Sequence, residues 1–466
     1  MKRRGFLKTG AAASAAVAVN ASLPAHALAA SWEQCARSAL SDPEALRRKL
    51  QDEAGKIYAR NLVKSSVGEF HIPSSLSYTR FFAWDAGWHI ISQSAFDPRG
   101  ALKELEAIFN GLQDEQTGMV AHEALVPEFD KTADPTYHRL GDNYFDARGR
   151  CRIIDPPSFL VAAEALYRRT RDPRVLALLP RMEKCLEYLL GPRDLFGDGL
   201  VSIIHPWESG TDATPAYDQA TGLKINSPAS VLHIGKMHGQ LIADAAAQGW
   251  DLKKIAAQNK FVFEDLCMNG LTLAGAIALS RLFEEAGHKD KAGKWKERAQ
   301  KLAQNIERIF WDQSRGYFFP RWDLKTPKRD WRVTIAGIVP LVSGLIEKKK
   351  ADRALDQYLL SPEQFWGKWL VPFNSLSEMK RENTLLVRGL LWRGPCIWVN
   401  MNWMAAAAAA KYGRADVAKK ITRATAVLVG RSGFREFYDP GNGKGMGAKI
   451  FSWPALTLEM IEEHGL

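Results

Sequence analysis

Phe261–Ala286, FVFEDLCMNGLTLAGAIALSRLFEEA, is followed after only Gly287 and His288 by Lys289–Phe310, KDKAGKWKERAQKLAQNIERIF. Both segments repeat apolar residues at i, i+3, i+4 and i+7, the period of a helix rather than a strand. A long link, Trp311–Trp331, comes next. The same helical period recurs at Pro43–Leu62, Ala101–Leu112, Pro157–Thr170, Pro173–Leu190, Ala229–Gln248, Thr334–Lys348, Ile397–Tyr412, Ala415–Val429 and Trp453–His464. Alternating strand patterns are scarce.

The remaining links are Phe70–Trp88, Thr117–Asp155, Gly191–Ser227, Glu363–Gly394 and Gly430–Trp453, all rich in Gly, Pro, Trp, Asp or His. Long loops in a compact chain are uncommon unless they carry function. Helices paired by alternately short and long links predict an all-α toroid with the long loops gathered on one face. The pairs have no fixed sequence period, which argues against a repeat solenoid. No Gly/Ser/Pro linker divides the chain, so residues 30–466 are expected to form one domain.

Residues 1–29 carry a different signal. Lys2-Arg3-Arg4-Gly5-Phe6-Leu7-Lys8 has the twin-arginine pattern, followed by an Ala-rich run and by small residues at Ala25, Ala27 and Ala29 that suit a signal peptidase. The expectation is export by the twin-arginine translocation machinery to the periplasm or beyond. No other stretch reads as the roughly 20-residue apolar segment needed to span a bilayer. The formal net charge is +11, of which Lys2, Arg3, Arg4 and Lys8 supply four with no acid beside them, leaving +7 on the rest. Those charges are scattered, as in Arg47-Arg48-Lys49 and Lys348-Lys349-Lys350, with no aromatic-interleaved basic stripe for nucleic acid. The 5 cysteines have no zinc or CxxC spacing, and buried free thiols are expected.

Four segments carry candidate chemistry. The first is Phe81-Phe82-Ala83-Trp84-Asp85-Ala86-Gly87-Trp88-His89, with Gly118–Glu123, including His122, in the following link. A carboxylate inside an aromatic run must be hydrogen-bonded, so Asp85 either caps the next helix or meets a ligand. The second, His205–Asp218, reads HPWESGTDATPAYD and holds Glu208, Asp212 and Asp218 on a Pro- and Gly-punctuated loop. The third, Trp392–Trp403, reads WRGPCIWVNMNW and sets Trp398 and Asn402 on one helical face. The fourth is Gly433-Phe434-Arg435-Glu436-Phe437-Tyr438-Asp439-Pro440, then four spaced glycines and Phe451-Ser452-Trp453. Aromatics can desolvate Glu436 and tune it. Of 15 tryptophans, Trp84, Trp88, Trp207, Trp392, Trp398, Trp403 and Trp453 fall in these segments, although Trp403 and Trp453 taken singly read as core. A flat ring beside carboxylates and amides suits a sugar. No HExxH, GxSxG or Cys/His metal set is present, and no cofactor or metal is expected. Separated carboxylates on aromatic loops are what glycosidic cleavage requires.

At these four segments the chain resembles the inverting glycoside hydrolases of family 63, in particular the bacterial mannosylglycerate-hydrolase-like group. The resemblance runs from about Ser74 to Met460 and rests on HPWESGxD at His205–Asp212, RGPxW at Arg393–Trp398, Asn402-Trp403, and GFREFYDPxxG at Gly433–Gly443 with FSW at Phe451–Trp453. It implies an (α/α)₆ barrel, Asp212 as general acid, Glu436 as general base, and sugar-binding positions at Trp84, Asp85, Glu208, Arg393 and Trp398. Trp88, His122, Trp207, Tyr217 and Asn402 complete the candidate substrate-binding set. The substrate class implied is an α-linked glucoside, mannoside or short oligosaccharide. The chain departs from the family pattern at Ala213-Thr214, where Asn-Ser is usual, at Tyr217, where Trp is usual, and at Asp155 before Pro156-Pro157, where Gln is usual. Two other functions share the fold: a polysaccharide lyase using His122 with Tyr78 or Tyr144 on a uronate polymer, and a sugar-binding protein without activity.

Overall fold

The computed structural model describes residues 31–126, 140–225, 228–381 and 391–466, so the twin-arginine segment lies outside the described residues. Six elements form a closed inner ring by successive packing: Ala83–Ser94, Ser158–Thr170, Leu266–Glu285, Ile335–Ser343, Val399–Lys411 and Leu456–His464, the last returning to the first. Outer helices pack on them. Pro98–Gly111 lies on Ala83–Ser94, Leu179–Leu190 and Lys289–Phe310 lie on Leu266–Glu285, and Ala415–Ser432 lies on Val399–Lys411. The fold is the (α/α)₆ toroid.

Local chemistry sets the helix ends. Asp42, Asp97, Asp172, Asp251 and Asp265 each accept a hydrogen bond from a first-turn backbone N–H, and Pro follows the first three. Lys289–Phe310 has the expected bounds, with Trp295, Leu302, Ile306 and Phe310 turned inward. Pro173–Leu190 breaks at Leu178 into two helices, the second carrying Pro180 in its first turn. Thr334–Lys348, expected as one α-helix, is instead a 3₁₀ segment, Ile335–Ser343, with Pro340 inside it, followed by a separate helix from Lys348. Proline removes the N–H that an α-helix would use.

Two further differences come from burial. Ala83–Ser94 falls inside and beyond a segment read as a link, yet it is a helix with every residue buried. Its polar residues, Asp85, His89, Ser92 and Gln93, are buried with the rest, so it has no side turned to solvent. Leu266–Glu285 has the length and hydropathy, 1.4, to cross a membrane, contrary to the expectation of no such stretch; 94% of that window is buried in the protein, where it forms the middle of the inner ring. Among the described residues the β-structure consists of short pairs and one three-stranded sheet, among them Phe81–Phe82 with Glu123–Ala124 and Arg435–Tyr438 with Gly445–Lys449. One apolar core runs from Trp32 to Ile461, with a smaller cluster around Tyr144, Phe145 and Ile153. The cysteines are free, and all but Cys35 are buried.

Candidate active site

The loops from several inner-ring elements converge on one cluster of carboxyls and aromatic rings. The pairing of Phe81–Phe82 with Glu123–Ala124 sets Ala83 N–H on the His122 carbonyl at 2.9 Å, so His122 meets the start of the Trp84–Asp85 helix. Asp155 completes that corner. One of its oxygens accepts the Trp84 N–H at 3.0 Å and the other meets His122 Nδ1 at 2.7 Å. Asp155, not Asp85, therefore caps this helix. Asp85 is 8% exposed and has no protein hydrogen bond of full geometry among the described residues; the Trp453 indole approaches it. Burial, then Asp155, pushes the Asp85 carboxyl well above its usual range, and His122 opposes this.

Asp212 follows a 3₁₀ turn, Pro206–Ser209, closed by Gly210 at φ +68°. A Cβ there would sit 2.7 Å from the Trp84 ring, so only glycine lets the turn lie on that indole. Asp212 is half-buried by surface exposure, but burial of its carboxyl is still the largest influence on its titration. Desolvation raises it, His122 and its own backbone N–H pull it down, Asp155 and Glu436 push it up, and it settles at about 7.

Glu436 comes from the opposite side of the ring on the Arg435–Tyr438 hairpin strand, where the register shifts between Arg435 and Phe437. Such a bulge re-aims a side chain. Its two oxygens accept the Tyr78 hydroxyl and the Ala448 N–H, each at 2.7 Å. Gly447, at φ +65°, lets the partner strand approach; a Cβ would lie 2.5 Å from Glu436 Oε2. Burial raises the Glu436 carboxyl, and the Ala448 and Tyr78 donors and nearby Arg435 oppose that. The Tyr78 hydroxyl lies in the fields of Glu436, Asp212 and Asp85, which together with burial push it well above its usual value. The sequence offers Tyr78 only as a lyase base; the structure makes it a donor to Glu436, a role that no local motif marks.

Aromatic rings wall the cluster. Trp84 meets Trp88 edge-on at 5.0 Å, Trp392 and Trp398 stack at 3.7 Å, and Trp453 lies against Trp84, Trp392, Trp398 and Phe451. Trp453 therefore belongs to the site as well as to the core. Ile397 and Tyr438 exchange backbone hydrogen bonds, tying the Trp398 segment to the Glu436 hairpin. Trp207 is half-buried and stacks parallel to His122 with ring centres 6.4 Å apart.

Four residues proposed from sequence to contact sugar are instead committed to the protein. Glu208 is fully buried, binds Arg193 through both oxygens and accepts the Ile154 and Ile204 N–H groups. Arg393 grips Asp218 at 2.8 and 2.5 Å and donates to the Ala213 carbonyl, so it clamps the loop next to Asp212. Tyr217 donates to Asp265 at 2.8 Å behind that loop. The Asn402 amide bonds the backbone at Leu370 and Val371 and the Thr425 hydroxyl. Trp88 is fully buried behind Trp84, against Trp403. Asp85, Trp84, His122, Trp207, Trp398, Asp212 and Glu436 remain with the site. Among the described residues, no group of three or more His, Cys, Asp or Glu side chains is arranged to hold a metal ion.

A toroid with paired carboxyls in an aromatic-walled loop face is the architecture of a glycosidase, and the comparisons agree. The family described as mannosylglycerate hydrolase MGH1-like glycoside hydrolase domain matches residues 78–454. The chain belongs to that family, and the protein is a glycosidase. It is 27% identical to a mannosylglycerate hydrolase of Thermus thermophilus over 433 residues, covering 84% of this chain and 97% of the relative. It is 23% identical to a glucosylglycerate hydrolase of Mycolicibacterium hassiacum over 434 residues, covering 84% and 94%. A crystal structure of the Thermus thermophilus glycoside hydrolase family 63 mannosylglycerate hydrolase, in complex with Tris and D-glycerate, superposes with a TM-score of 0.76 at 25% identity, covering 89% of this chain and 100% of that one.

Proposed function

We propose that the protein is an exported, inverting α-glycosidase in which Asp212 is the general acid and Glu436 the general base. The observation that carries this reading is the unequal setting of two carboxyls facing one aromatic cluster. Asp212 lacks strong donors and holds its proton to about pH 7. Glu436 has the Tyr78 hydroxyl and the Ala448 N–H, donors that favour its ionised form. Environments that push two carboxyls apart assign the acid and the base.

Asp212 protonates the glycosidic oxygen as the bond to the anomeric carbon breaks. Glu436 takes a proton from water, whose oxygen attacks the opposite face of that carbon. Inversion then follows, and it requires the carboxyls to stand roughly 6.5–9.5 Å apart so that the water fits. Among the described residues, the indole N–H groups of Trp84 and Trp398 have no protein hydrogen-bond partner. Unpaired donors are costly, and sugar hydroxyls are suitable acceptors. Curated relatives named for mannosylglycerate and glucosylglycerate support an α-mannoside or α-glucoside with a small polar aglycone as substrate.

Proton NMR of the first product from α-mannosylglycerate and α-glucosylglycerate is the test. A β-configured sugar is expected; an α-configured first product would overturn inversion, and with it the acid–base assignment. Export rests on Arg3-Arg4 with Phe6-Leu7. Changing both arginines to lysine is expected to retain the protein in the cytoplasm, and continued periplasmic accumulation would remove the twin-arginine assignment.

A further inference from the structure

Asp155 is a buried carboxylate outside the acid–base pair, and both of its oxygens are used: one by the Trp84 N–H and one by His122 Nδ1. Burial raises the Asp155 carboxyl to about 6, with His122 and the Trp84 N–H opposing; above that pH it is an ionised carboxylate that only accepts, so the His122 Nδ1 must donate. That fixes the ring plane and turns the Nε2 edge the other way. Nε2 has no protein partner among the described residues, and the side chain keeps 13% of its surface exposed, so this edge reaches the open side of the cluster. The ring is held in place by Trp207, stacked parallel to it, and by Phe82, edge-on at 5.5 Å. Trp207 lies on the turn that leads to Asp212, and Gly210 of that turn rests on Trp84, whose N–H Asp155 holds. The pair and the acid are thus parts of one packed corner.

We propose that Asp155 and His122 act as one positioning unit for the general acid: Asp155 locks the imidazole through Nδ1, and His122 presents its fixed Nε2 edge to the Asp212 carboxyl. This rests on the reading of Asp212 as the acid. The charges facing His122 are Asp155, Glu123, Asp212 and Asp85, with Glu123 itself paired to Arg80; His205 and His238 lie behind Trp207. Burial is the largest influence and would discharge the imidazole, but Asp155, with Glu123 and Asp212, together outweigh it and hold His122 protonated to about pH 9. A cation beside Asp212 favours its carboxylate, so the unit keeps the acid from being trapped in its protonated form far above neutrality.

The test begins without substrate. With ¹⁵N-labelled histidine, His122 of the full chain is expected to keep both ring protons through pH 8. In Asp155→Asn, whose amide oxygen can still accept the Trp84 N–H, it is expected to lose its second ring proton at distinctly lower pH, because burial then acts on the charged ring with much less to oppose it. With ¹³C-labelled aspartate, the Asp212 carboxyl is expected to titrate at higher pH in His122→Gln, a variant that leaves the Asp155 cap in place. A His122 that is neutral at pH 8 in the wild-type protein overturns the proposal, as does an Asp212 titration that His122→Gln leaves unmoved. The kcat/KM profile on α-mannosylglycerate or α-glucosylglycerate separates this from the acid assignment. Its alkaline limb should move up in pH with the Asp212 carboxyl; a limb that stays while the carboxyl moves overturns Asp212 as the acid, and the tuning role with it.

Discussion

The loop that carries Asp212 and the hairpin that carries Glu436 hold the same functional group in different ways. The Asp212 turn is clamped from behind, by Arg393 on Asp218 and the Ala213 carbonyl and by Tyr217 on Asp265, while among the described residues its own carboxyl receives no side-chain hydrogen bond. On the hairpin the clamp reaches the carboxyl itself, through Tyr78 and Ala448. Both groups are desolvated, so burial alone would leave two similar acids. The donors make the difference. A rigid turn with a bare carboxyl suits proton donation, and a carboxylate wrapped in donors suits proton acceptance.

The most severe way to break this contrast is to remove either group. Asp212→Asn and Glu436→Gln are each expected to lower kcat by on the order of 10²–10⁴-fold, with less than additive loss in the double variant because both act on one transition state. Steady-state rates on glycerate glycosides check this. An activated aryl glycoside sharpens it, since a good leaving group needs little protonation and should spare Asp212→Asn far more than Glu436→Gln.

A smaller effect is expected behind the acid loop. Arg193→Met leaves Glu208 buried with its charge unpaired, which typically costs about 3–5 kcal/mol of stability. Chemical denaturation should show that loss, while Glu208→Gln should lower stability with little change in kcat of the folded fraction. A large kcat defect in a stable Glu208→Gln protein would return Glu208 to the substrate-binding set.

The mildest expected change tests the hairpin. The Tyr78 hydroxyl lowers the Glu436 carboxyl, so Tyr78→Phe should raise it. The base is active when ionised, so the acid limb of kcat/KM should move to higher pH. The alkaline limb, set by Asp212 near 7, should stay nearly fixed, and the bell should narrow from its acid side. Movement of the alkaline limb alone would reverse the two roles.

The amphipathic outer helices were legible because each carries its own period: Pro43–Asn61 and Lys289–Phe310 match their expected bounds to within a residue. Ala83–Ser94 was not, since it is buried on every side and its short aromatic and polar run reads as loop in the sequence. The site divides in the same way. Sequence alone determined which segments carry the chemistry, because carboxyls, glycines and tryptophans gathered on long loops are a local pattern. The family resemblance singled out Asp212, but the local pattern by itself could not separate Asp85 and Asp212 from Glu208 and Asp218, which sit in equally polar motifs. Tertiary structure decided that, because a carboxylate's partners come from elsewhere in the chain. Arg193 and the Ile154 N–H claim Glu208, and Arg393 claims Asp218. Tyr78, 358 positions away in sequence, claims one oxygen of Glu436. A hydrogen bond in a desolvated site is set by geometry within about 3 Å, and only the closed ring brings such distant residues that close.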